Sequence, residues 1–531
     1  MGDRDNLPEL PNGWMWSSAM QICELITNGN TPKQVDMAIG KGEIPYIKIH
    51  NLTKTGNLNF SINPTFIPKE VHENKLPKSK IYPGDVLMNV VGPPLGKVSI
   101  VPPLYAEWNT NQNICIFRTV DLFNKKYLTY CLLSDENLNS VTRKSTATAG
   151  QSFISLTNCR SLPIPVPPIT EQHRIVAKIE ELFSELDAGV ELLKKLKAKL
   201  KRYRQAVLKA AVEGKLTKDW REAHQGELEP DSVLLERILK ERREKWEAEQ
   251  LAQMKAKGKT PKDDSWKLKY KEPVAPDTSD LPELQEGWGW ATIEQLSVRV
   301  QYGSSAKANE EPNGIPVLRM GNIVEGKLVL DNLKYLSLEH NEFPELLLES
   351  GDLLFNRTNS FELVGKTAIY LGKPNPCSFA SYLIRVRFNL AVNPSFVSYY
   401  LNSSYGRNWV KLVVSQQVGQ ANVNGTKLQA LSVPLPSKDE QHFITEKVEY
   451  YLSIVEELEK VVNKNIKKAE KLRQSILKKA FEGKLVPQDP TDEPADKLLE
   501  RIKAEKAKRE AEAKAKKKQK QPGKSQQLEL F

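Results

Sequence analysis

Two long stretches of the chain carry apolar residues at alternating steps of four and three. The first has them at Ile175, Ile179, Leu182, Leu186, Leu193, Leu196 and Leu200, and the matching positions of the second are Ile444, Val448, Val455, Leu458, Val462, Asn465, Leu472 and Ile476. This spacing is typical of helices that bury a seam of side chains against a partner helix. We therefore predict that the two stretches pair as a coiled coil, with Asn465 fixing the register. The alternative is two separate surface helices, each packed on its own domain.

Both predicted helices have start and stop signals. Thr170 and Asp439 are candidate N-caps, and Gly214 and Gly483 lie where the apolar pattern ends. Each helix is then about 44 residues, or roughly 65 Å, long at 1.5 Å per residue. That length equals about 19 base pairs of B-DNA. We expect the helices to act as a spacer of fixed length.

The helices belong to a longer duplication. The segments Leu7–Leu10, Gly13-Trp14-Met15-Trp16 and Glu171-Gln172-His173 recur as Leu281–Leu284, Gly287-Trp288-Gly289-Trp290 and Glu440-Gln441-His442. Gly150 and Leu216 recur as Gly419 and Leu485, both 269 positions later, so no residue is gained or lost in that block. The polar segments between these markers differ, which indicates two modules with one frame and two targets. Alternating apolar runs at 44–49 and 315–320 predict a mixed sheet with helices in each module.

Composition restricts the class of protein. The 531 residues and the hydrophobic fraction of 40% are enough for several domains. A net charge of +11 and a pI near 9.0 favour a polyanionic partner. The basic runs at 194–209 and 463–478 are either solvated helix faces or phosphate contacts. Five scattered cysteines predict buried thiols, and without a signal peptide or a long apolar run we expect a soluble cytoplasmic protein.

Motifs for catalysis are incomplete. The segments Asn63–Phe66 and Asn393–Phe396 lack the second proline of an adenine methyltransferase motif, Asn-Pro-Pro-aromatic. Gly365-Lys366-Thr367 lacks the earlier glycine of a phosphate-binding loop. No metal-ligand spacing surrounds His173 or His442, so we expect these side chains to cap or to pack. We predict a non-catalytic chain without a metal site.

The order, duplication and spacing of these segments resemble the specificity subunit of type I restriction-modification systems. The matching features are the Gly-Trp-x-Trp entries, the Pro-rich exits at 162–167 and 431–436, the Glu-Gln-His triplets and the Glu-Gly-Lys-Leu stops. The resemblance implies an α+β protein with two mixed α/β target-recognition domains separated by a long antiparallel helical coiled coil. It divides the chain into target-recognition domain 1 (1–168), a central conserved helix (169–216), a linker with an amphipathic helix (217–280), target-recognition domain 2 (281–437), a C-terminal conserved helix (438–485) and a charged helical or disordered tail (486–531).

The resemblance also implies a function. Such a subunit recognises a bipartite DNA target with one domain per half-site, and it directs adenine methylation and restriction by partner subunits. The expected partners are double-stranded DNA, two methyltransferase (M) subunits and restriction (R) subunits. S-adenosylmethionine, ATP and Mg would be bound by those partners, and no cofactor by this chain. The alternative is a coiled-coil protein scaffold without DNA specificity.

Sequence specificity is expected from polar loop residues that differ between the modules. In the major groove, Asn and Gln contact adenine, whereas Arg and Lys contact guanine. The first module offers Asn109, Asn111, Gln112, Lys144, Thr146, Thr148, Gln151 and Ser152. The second offers Asn356, Arg357, Thr358, Asn359, Gln416, Gln417, Gln420, Asn422 and Asn424. For each residue the alternative is a turn side chain bonded to its own backbone.

Two further features lie beyond the Glu-Gly-Lys-Leu stops. Leu234–Ile238 and Leu498–Ile502 begin a shorter amphipathic helix in each half, which is either a docking element for the M subunits or a solvated spacer. Gln527–Phe531 resembles the motif by which bacterial polymerases and repair proteins hold the replication sliding clamp. The alternatives for this motif are a tail that folds back on a partner subunit and a chance match.

Overall fold

A computed structural model describes residues 7–92, 95–142, 146–148, 151–261, 263–417 and 420–519. These residues divide into two compact units, one within Met1–Leu193 and Asn463–Phe531 and the other within Lys194–Val462. Each unit contains one of the repeated modules. Across the described ranges, no helix combines the length and the apolar character needed to span a membrane.

The first module is built from short strands and helices. Its strands are β1 (Met15–Ser18), β2 (Cys23–Asn28), β3 (Ala38–Ile39), β4 (Ile44–Ile47), β5 (Gly56–Asn57), β6 (Thr65–Ile67), β7 (Lys80–Ile81), β8 (Val86–Asn89), β9 (Val91–Gly92), β10 (Val98–Ile100), β11 (Trp108–Thr110), β12 (Ile114–Thr119), β13 (Thr146–Thr148), β14 (Gln151–Phe153) and β15 (Pro163–Val166). Its helices are α1 (Ala19–Ile22), α2 (Lys125–Leu133), α3 (Asp135–Thr142) and α4 (Leu156–Arg160). The sheets have the orders β2-β12-β8-β10-β5, β3-β6-β4-β11-β7 and β13-β14-β9, and β1 pairs with β15.

Three helices follow the first module: α5 (Ile169–Val212), α6 (Lys218–Ala223) and α7 (Asp231–Ala256). The strands of the second module are β16 (Gly289–Thr292), β17 (Ser297–Tyr302), β18 (Ile315–Leu318), β19 (Ile323–Val324), β20 (Lys327–Leu328), β21 (Lys334–Leu336), β22 (Leu353–Asn356), β23 (Thr358–Asn359), β24 (Thr367–Ile369), β25 (Ser378–Phe379), β26 (Leu383–Phe388), β27 (Ser415–Gln417), β28 (Gln420–Asn422) and β29 (Ser432–Leu435). Its helices are α8 (Ile293–Leu296), α9 (Pro394–Asn402), α10 (Ser404–Val413) and α11 (Gly425–Gln429), followed by α12 (Lys438–Phe481) and α13 (Ala495–Gln519).

The second module repeats the arrangement of the first with fewer strands in its two larger sheets. Its sheets have the orders β17-β26-β22-β24, β21-β18-β25 and β23-β28-β27, with β19 paired to β20 and β16 to β29. The predicted strands at 44–49 and 315–320 are therefore confirmed as β4 and β18. All five cysteines are free and buried, as the sequence predicted.

The long helices α5 and α12 are each 44 residues long. Gly214 and Gly483 have φ values of +66° and +68°, which confirms them as helix stops. The prediction for the N-caps is wrong. Both Thr170 and Asp439 lie inside the first turn, because the helices begin one residue earlier, at Ile169 and Lys438.

Helix pairing is antiparallel within each unit. In the first unit, Thr170 contacts Asp492 beyond the end of α12, whereas Asp187 forms an ion pair with Arg473 inside it. In the second unit, Arg204 pairs with Glu459 at 3.2 Å, and Thr217, beyond the end of α5, bonds to Glu440 at 2.6 Å. Residue numbers thus rise along one helix as they fall along the other. This confirms the antiparallel pairing that the apolar pattern and the resemblance predicted.

The predicted pairing residues differ in burial. Buried positions are Ile175, Ile179, Leu200, Ile444, Val448, Val455, Val462 and Ile476, half-buried ones are Leu182, Leu186 and Leu193, and exposed ones are Leu196, Leu458, Asn465 and Leu472. Because Asn465 is exposed, the prediction that it fixes the register inside a seam is wrong. The helices also pack on their own modules, so the buried face near the start of α5 includes Val176 and Phe183 and is wider than a heptad seam.

The shorter helices α7 and α13 each pack, through their first two turns, on the module of the unit that contains them: α7 on the second module and α13 on the first. Leu234 and Ile238 of α7 are buried in the core of the second unit, and Leu498 and Ile502 of α13 in that of the first. Lys506 of α13 extends this contact, because its ammonium donates to the Cys23 carbonyl oxygen at 2.7 Å. The beginnings of both helices are therefore structural parts of the modules.

Candidate nucleic-acid interface

The Glu-Gln-His triplet attaches each module to its long helix. Glu171 accepts a hydrogen bond from the Trp14 indole at 3.0 Å, and Gln172 accepts one from the Asn124 backbone at 3.1 Å. The Asn124 side chain caps α2 and lies 3.0 Å from His173 Nδ1. The second module repeats these contacts with Trp288, Glu440, Gln441, His442 and Asn393. The histidines therefore pack against capping asparagines, as the sequence predicted.

The predicted contact residues of the second module converge on the small sheet β23-β28-β27. Strand β28 pairs on one side with β23, which carries Thr358 and Asn359, and on the other with β27, which carries Gln416 and Gln417. Ala421 is buried beneath the sheet, whereas Gln420 is exposed. Strands from two distant polar segments, 358–359 on one side and 415–417 with 420–422 on the other, thus meet in one sheet.

The first module has the same small sheet. Strand β14, with Gln151 and Ser152, pairs with β9 and with β13, which carries Thr146 and Thr148. Both strands lie 269 positions before their counterparts β28 and β27. The divergent polar segments of the two halves therefore occupy the same place on the shared frame. Lys144 lies outside the described residues.

The predicted DNA contact of Asn109 in the 109–112 loop is wrong. Asn109 is completely buried, and its amide donates to His72 Nδ1 at 3.0 Å and to the Leu76 carbonyl. It therefore supports the core and is not available to DNA. Asn111 is half-buried and accepts a bond from the backbone of Asn113, and exposed Gln112 accepts one from the Thr31 hydroxyl.

The polar residues around β23 and β28 also divide into structural and available groups. Asn356 is buried and donates to the Leu363 carbonyl oxygen at 3.3 Å. Its predicted DNA contact is therefore wrong, and its role is structural. Asn422 donates to the Thr358 hydroxyl at 2.7 Å, and Asn424 caps α11 through the Lys427 amide at 2.9 Å. Asn359 accepts from the Ser360 amide at 2.8 Å. Asn359, Asn422 and Asn424 keep some exposure, so their predicted DNA contacts stay predictions.

Sequence reasoning missed Tyr302, which lies at the end of β17 beside this surface. Its hydroxyl accepts the Gly425 amide at 2.6 Å, and its ring lies under the Arg357 guanidinium, 4.8 Å from the ring centroid. The sequence signal that could have pointed to Tyr302 is the glycine that follows it, Gly303. A Cβ there would lie 2.3 Å from the Phe379 carbonyl oxygen, and Gly29 after β2 has the same constraint with Thr110. The shared glycine marks the equivalence of Asn28 and Tyr302.

Positive charge lies beneath the 360–365 turn next to the small sheet. Arg407 donates to the carbonyl oxygens of Glu362 and Val364, and burial lowers its pKa. Burial, together with the nearby Arg407, also lowers the pKa of Lys366. Both cations lie next to the small sheet, and Arg407 holds the 360–365 turn in place through these two carbonyl oxygens.

A cluster of His72, Glu73 and Glu107 in the first module has the composition of a metal site. Lys80, however, lies 2.5 Å from Glu73 and 3.9 Å from Glu107. Its ammonium supplies the positive charge between these carboxylates, while the His72 ring bonds to Glu107 and Asn109. The cluster is therefore an ion-pair network that supports the buried end of β11.

The comparisons with known proteins all point to one family. The profile described as the type I restriction modification DNA specificity domain matches residues 11–202 and 295–468. The chain is 26% identical over 516 residues to the type I restriction enzyme EcoKI specificity subunit of Escherichia coli (strain K12), with 94% of this chain and 97% of that protein covered. It is also 26% identical over 518 residues to the StySPI specificity subunit of Salmonella potsdam, with the same coverage of both chains.

A solved structure supports the fold. It is described as “Structural basis underlying complex assembly and conformational transition of the type I R-M system”. One of its chains superposes with a TM-score of 0.61 at 18% identity and covers 90% of this chain and 100% of its own length. The duplicated modules, the paired helices and the profile match together show that this chain belongs to the type I restriction-modification specificity family, whose role is non-catalytic recognition of DNA sequence.

Proposed function

We propose that this chain recognises a bipartite DNA target, one module per half-site, and directs adenine methylation and restriction by M and R subunits. The observation that carries the proposal is the position of the divergent polar segments. In both modules they form the equivalent small sheets β13-β14-β9 and β23-β28-β27 on a shared frame. Two surfaces that differ in sequence at one structural position are suited to two different half-sites.

The catalytic groups are assigned to the partners. S-adenosylmethionine, ATP and Mg would be bound by the M and R subunits, with two M subunits for the two modules. The duplication supports this number, because each module offers its own set of repeated frame residues. The length of α5 and α12 supports a fixed spacer between the half-sites.

The complex with the M subunit tests this proposal. Sequencing of methylated adenines in a host that carries both genes should give one motif with two specific halves and a non-specific gap. A DNase footprint of the complex should protect the same two halves. A complex with no footprint and no sequence preference would support the protein scaffold, and methyl transfer by this chain alone would contradict the assignment of chemistry to the partners.

We also propose that Gln527–Phe531 binds the replication sliding clamp. The motif lies outside the described residues, and the support is its sequence, in which Gln527, Leu530 and Phe531 follow a strongly charged segment. A short peptide motif loses conformational entropy when it binds, so we expect modest affinity. A peptide of residues 519–531 should bind purified clamp saturably, whereas a peptide with Leu530→Ala and Phe531→Ala should not. Equal signals, or none, would contradict the proposal.

A further inference from the structure

Arg357 occupies a rigid position in the turn between β22 and β23. Its backbone amide donates to the Tyr382 carbonyl oxygen at 3.0 Å, and its own carbonyl oxygen accepts the Val423 amide at 2.9 Å. The first bond ties the residue to the start of β26 and the second to the end of β28. Its Cα position is therefore fixed by two separate parts of the module.

The guanidinium is aligned as well. It lies over the Tyr302 ring, and Nη1 donates to the Ser381 carbonyl oxygen at 3.3 Å. Among the described residues no carboxylate lies within 4.0 Å of it, whereas Arg385 and Arg387 on neighbouring β26 both contact Asp352. Arg357 thus keeps an unneutralised charge beside the polar side chains of the small sheet.

The frame does not need this arginine. The equivalent residue of the first module is Val90, whose amide donates to the Asn113 carbonyl oxygen and whose carbonyl oxygen accepts the Ile154 amide, both at 2.9 Å. Asn28 stands there in place of Tyr302. The same backbone geometry therefore forms without a cation or an aromatic ring, and the Arg357–Tyr302 pair is specific to the second module.

We propose that Arg357, held by the ring of Tyr302, contacts a guanine in the half-site of the second module. This inference rests on the proposed function. Nε is buried, so the Nη1 and Nη2 end of the guanidinium supplies the two parallel N–H donors that match the O6 and N7 acceptors of guanine in the major groove. Stacking on Tyr302 restricts the side chain before DNA binds, so less conformational entropy is lost on contact. Val90 cannot make this contact, so the first half-site lacks a guanine recognised at this position.

The test uses the assembled methyltransferase and measures methylation of DNA libraries in which each base of the target is varied. Arg357→Ala should lower discrimination at one position of the second half-site on the order of 10-fold, leaving the first half-site unchanged. Arg357→Lys should also lose discrimination, because a single ammonium lacks the fork. Tyr302→Phe keeps the ring and should retain discrimination, whereas Tyr302→Leu should reduce it. Lys411→Ala removes an exposed cation from α10 of the same module and is the control for charge.

The possible results separate the two levels of the proposal. A wild-type complex with no bipartite motif would contradict the proposed function. A wild-type motif with an unchanged Arg357→Ala profile would contradict only the role of Arg357. Equal weakening on all sequences would indicate a phosphate contact and would also overturn the guanine assignment, whereas Lys411→Ala should leave discrimination at every position unchanged. A retained first half-site in each variant shows that the complex is folded and active.

Discussion

The glutamate of the repeated Glu-Gln-His triplet has different hydrogen-bond partners in the two modules. Glu440 accepts bonds from Trp288, Thr217 and Arg221, the last at 2.5 Å. Glu171 accepts one from Trp14, and its Oε1 is buried without a hydrogen-bond partner among the described residues. Burial raises the pKa of Glu171, although the Trp14 bond opposes this. The two equivalent glutamates therefore differ in how well hydrogen bonds and ion pairs compensate the burial of their carboxylates.

We expect opposite results from replacing these two glutamates with glutamine. The raised pKa of Glu171 means that its stabilising contribution is present below the unfolded pKa and is lost as pH rises through the folded pKa. At neutral pH, Glu171→Gln should therefore be neutral or stabilising, within about 1 kcal/mol. Glu440→Gln leaves Arg221 without its buried partner and should cost roughly 3 kcal/mol.

Thermal unfolding of both variants at pH 5 and pH 7 checks this. Glu171→Gln should gain more at pH 7 than at pH 5, and Glu440→Gln should lower the transition temperature at both. A large loss of stability in Glu171→Gln at pH 7 would show that the buried carboxylate is paired in solution.

At the level of elements, the sequence predicted the long helices closely but not their buried faces. The apolar spacing and the two glycine stops define 169–212 and 438–481 within a few residues. The exposure of Asn465 could not be predicted, because the helix face is decided by the module packed on it as well as by the partner helix. The small sheets were missed as elements, since strands of two or three residues leave almost no periodicity.

Helix length provides a prediction for the target. Seven residues inserted near Leu196 of α5 alone should break the antiparallel register, because seven residues add about 10 Å to one helix. A matched insertion at the equivalent level of α12 should restore pairing and lengthen the gap between half-sites by about 3 base pairs, with both half-site sequences unchanged. Methylation-site sequencing of the single and double insertions measures this. An unchanged gap in a stable double insertion would refute the spacer role.

At the level of the whole molecule, each module should be changeable by itself. Gln420 is exposed on β28, and Asn422 bonds to Thr358 on β23. Replacing both with alanine should relax the second half-site only, by on the order of 10-fold in discrimination. The readout is the methylation motif of the complex, with Gln151→Ala as the matched change for the first half-site. Altered specificity in the opposite half-site would show that the modules are coupled.

The duplication, the fold class and the family could be predicted from the sequence, because they depend on repeated short segments and on the order of those segments along the chain. The contact surface could be predicted only in part. Asn109 and Asn356 have the composition of base-contacting residues, but each is buried and bonded inside its module. Tyr302 was missed because its role depends on Arg357, which is 55 positions away and reaches it only in the fold.

The first compact unit takes its residues from both ends of the chain, whereas the second is one continuous segment. On the ribosome, the second unit is therefore complete before the first, although its module is made later. Until α12 has been synthesised to its end, the nascent first module lacks Ile476, Leu477, Ala480 and Phe481 from its core. The apolar face at Ile175, Ile179 and Phe183 then packs on the first module alone, without the α12 side chains that complete this core. Assembly of this protein would thus reverse the usual order, in which the N-terminal domain folds first.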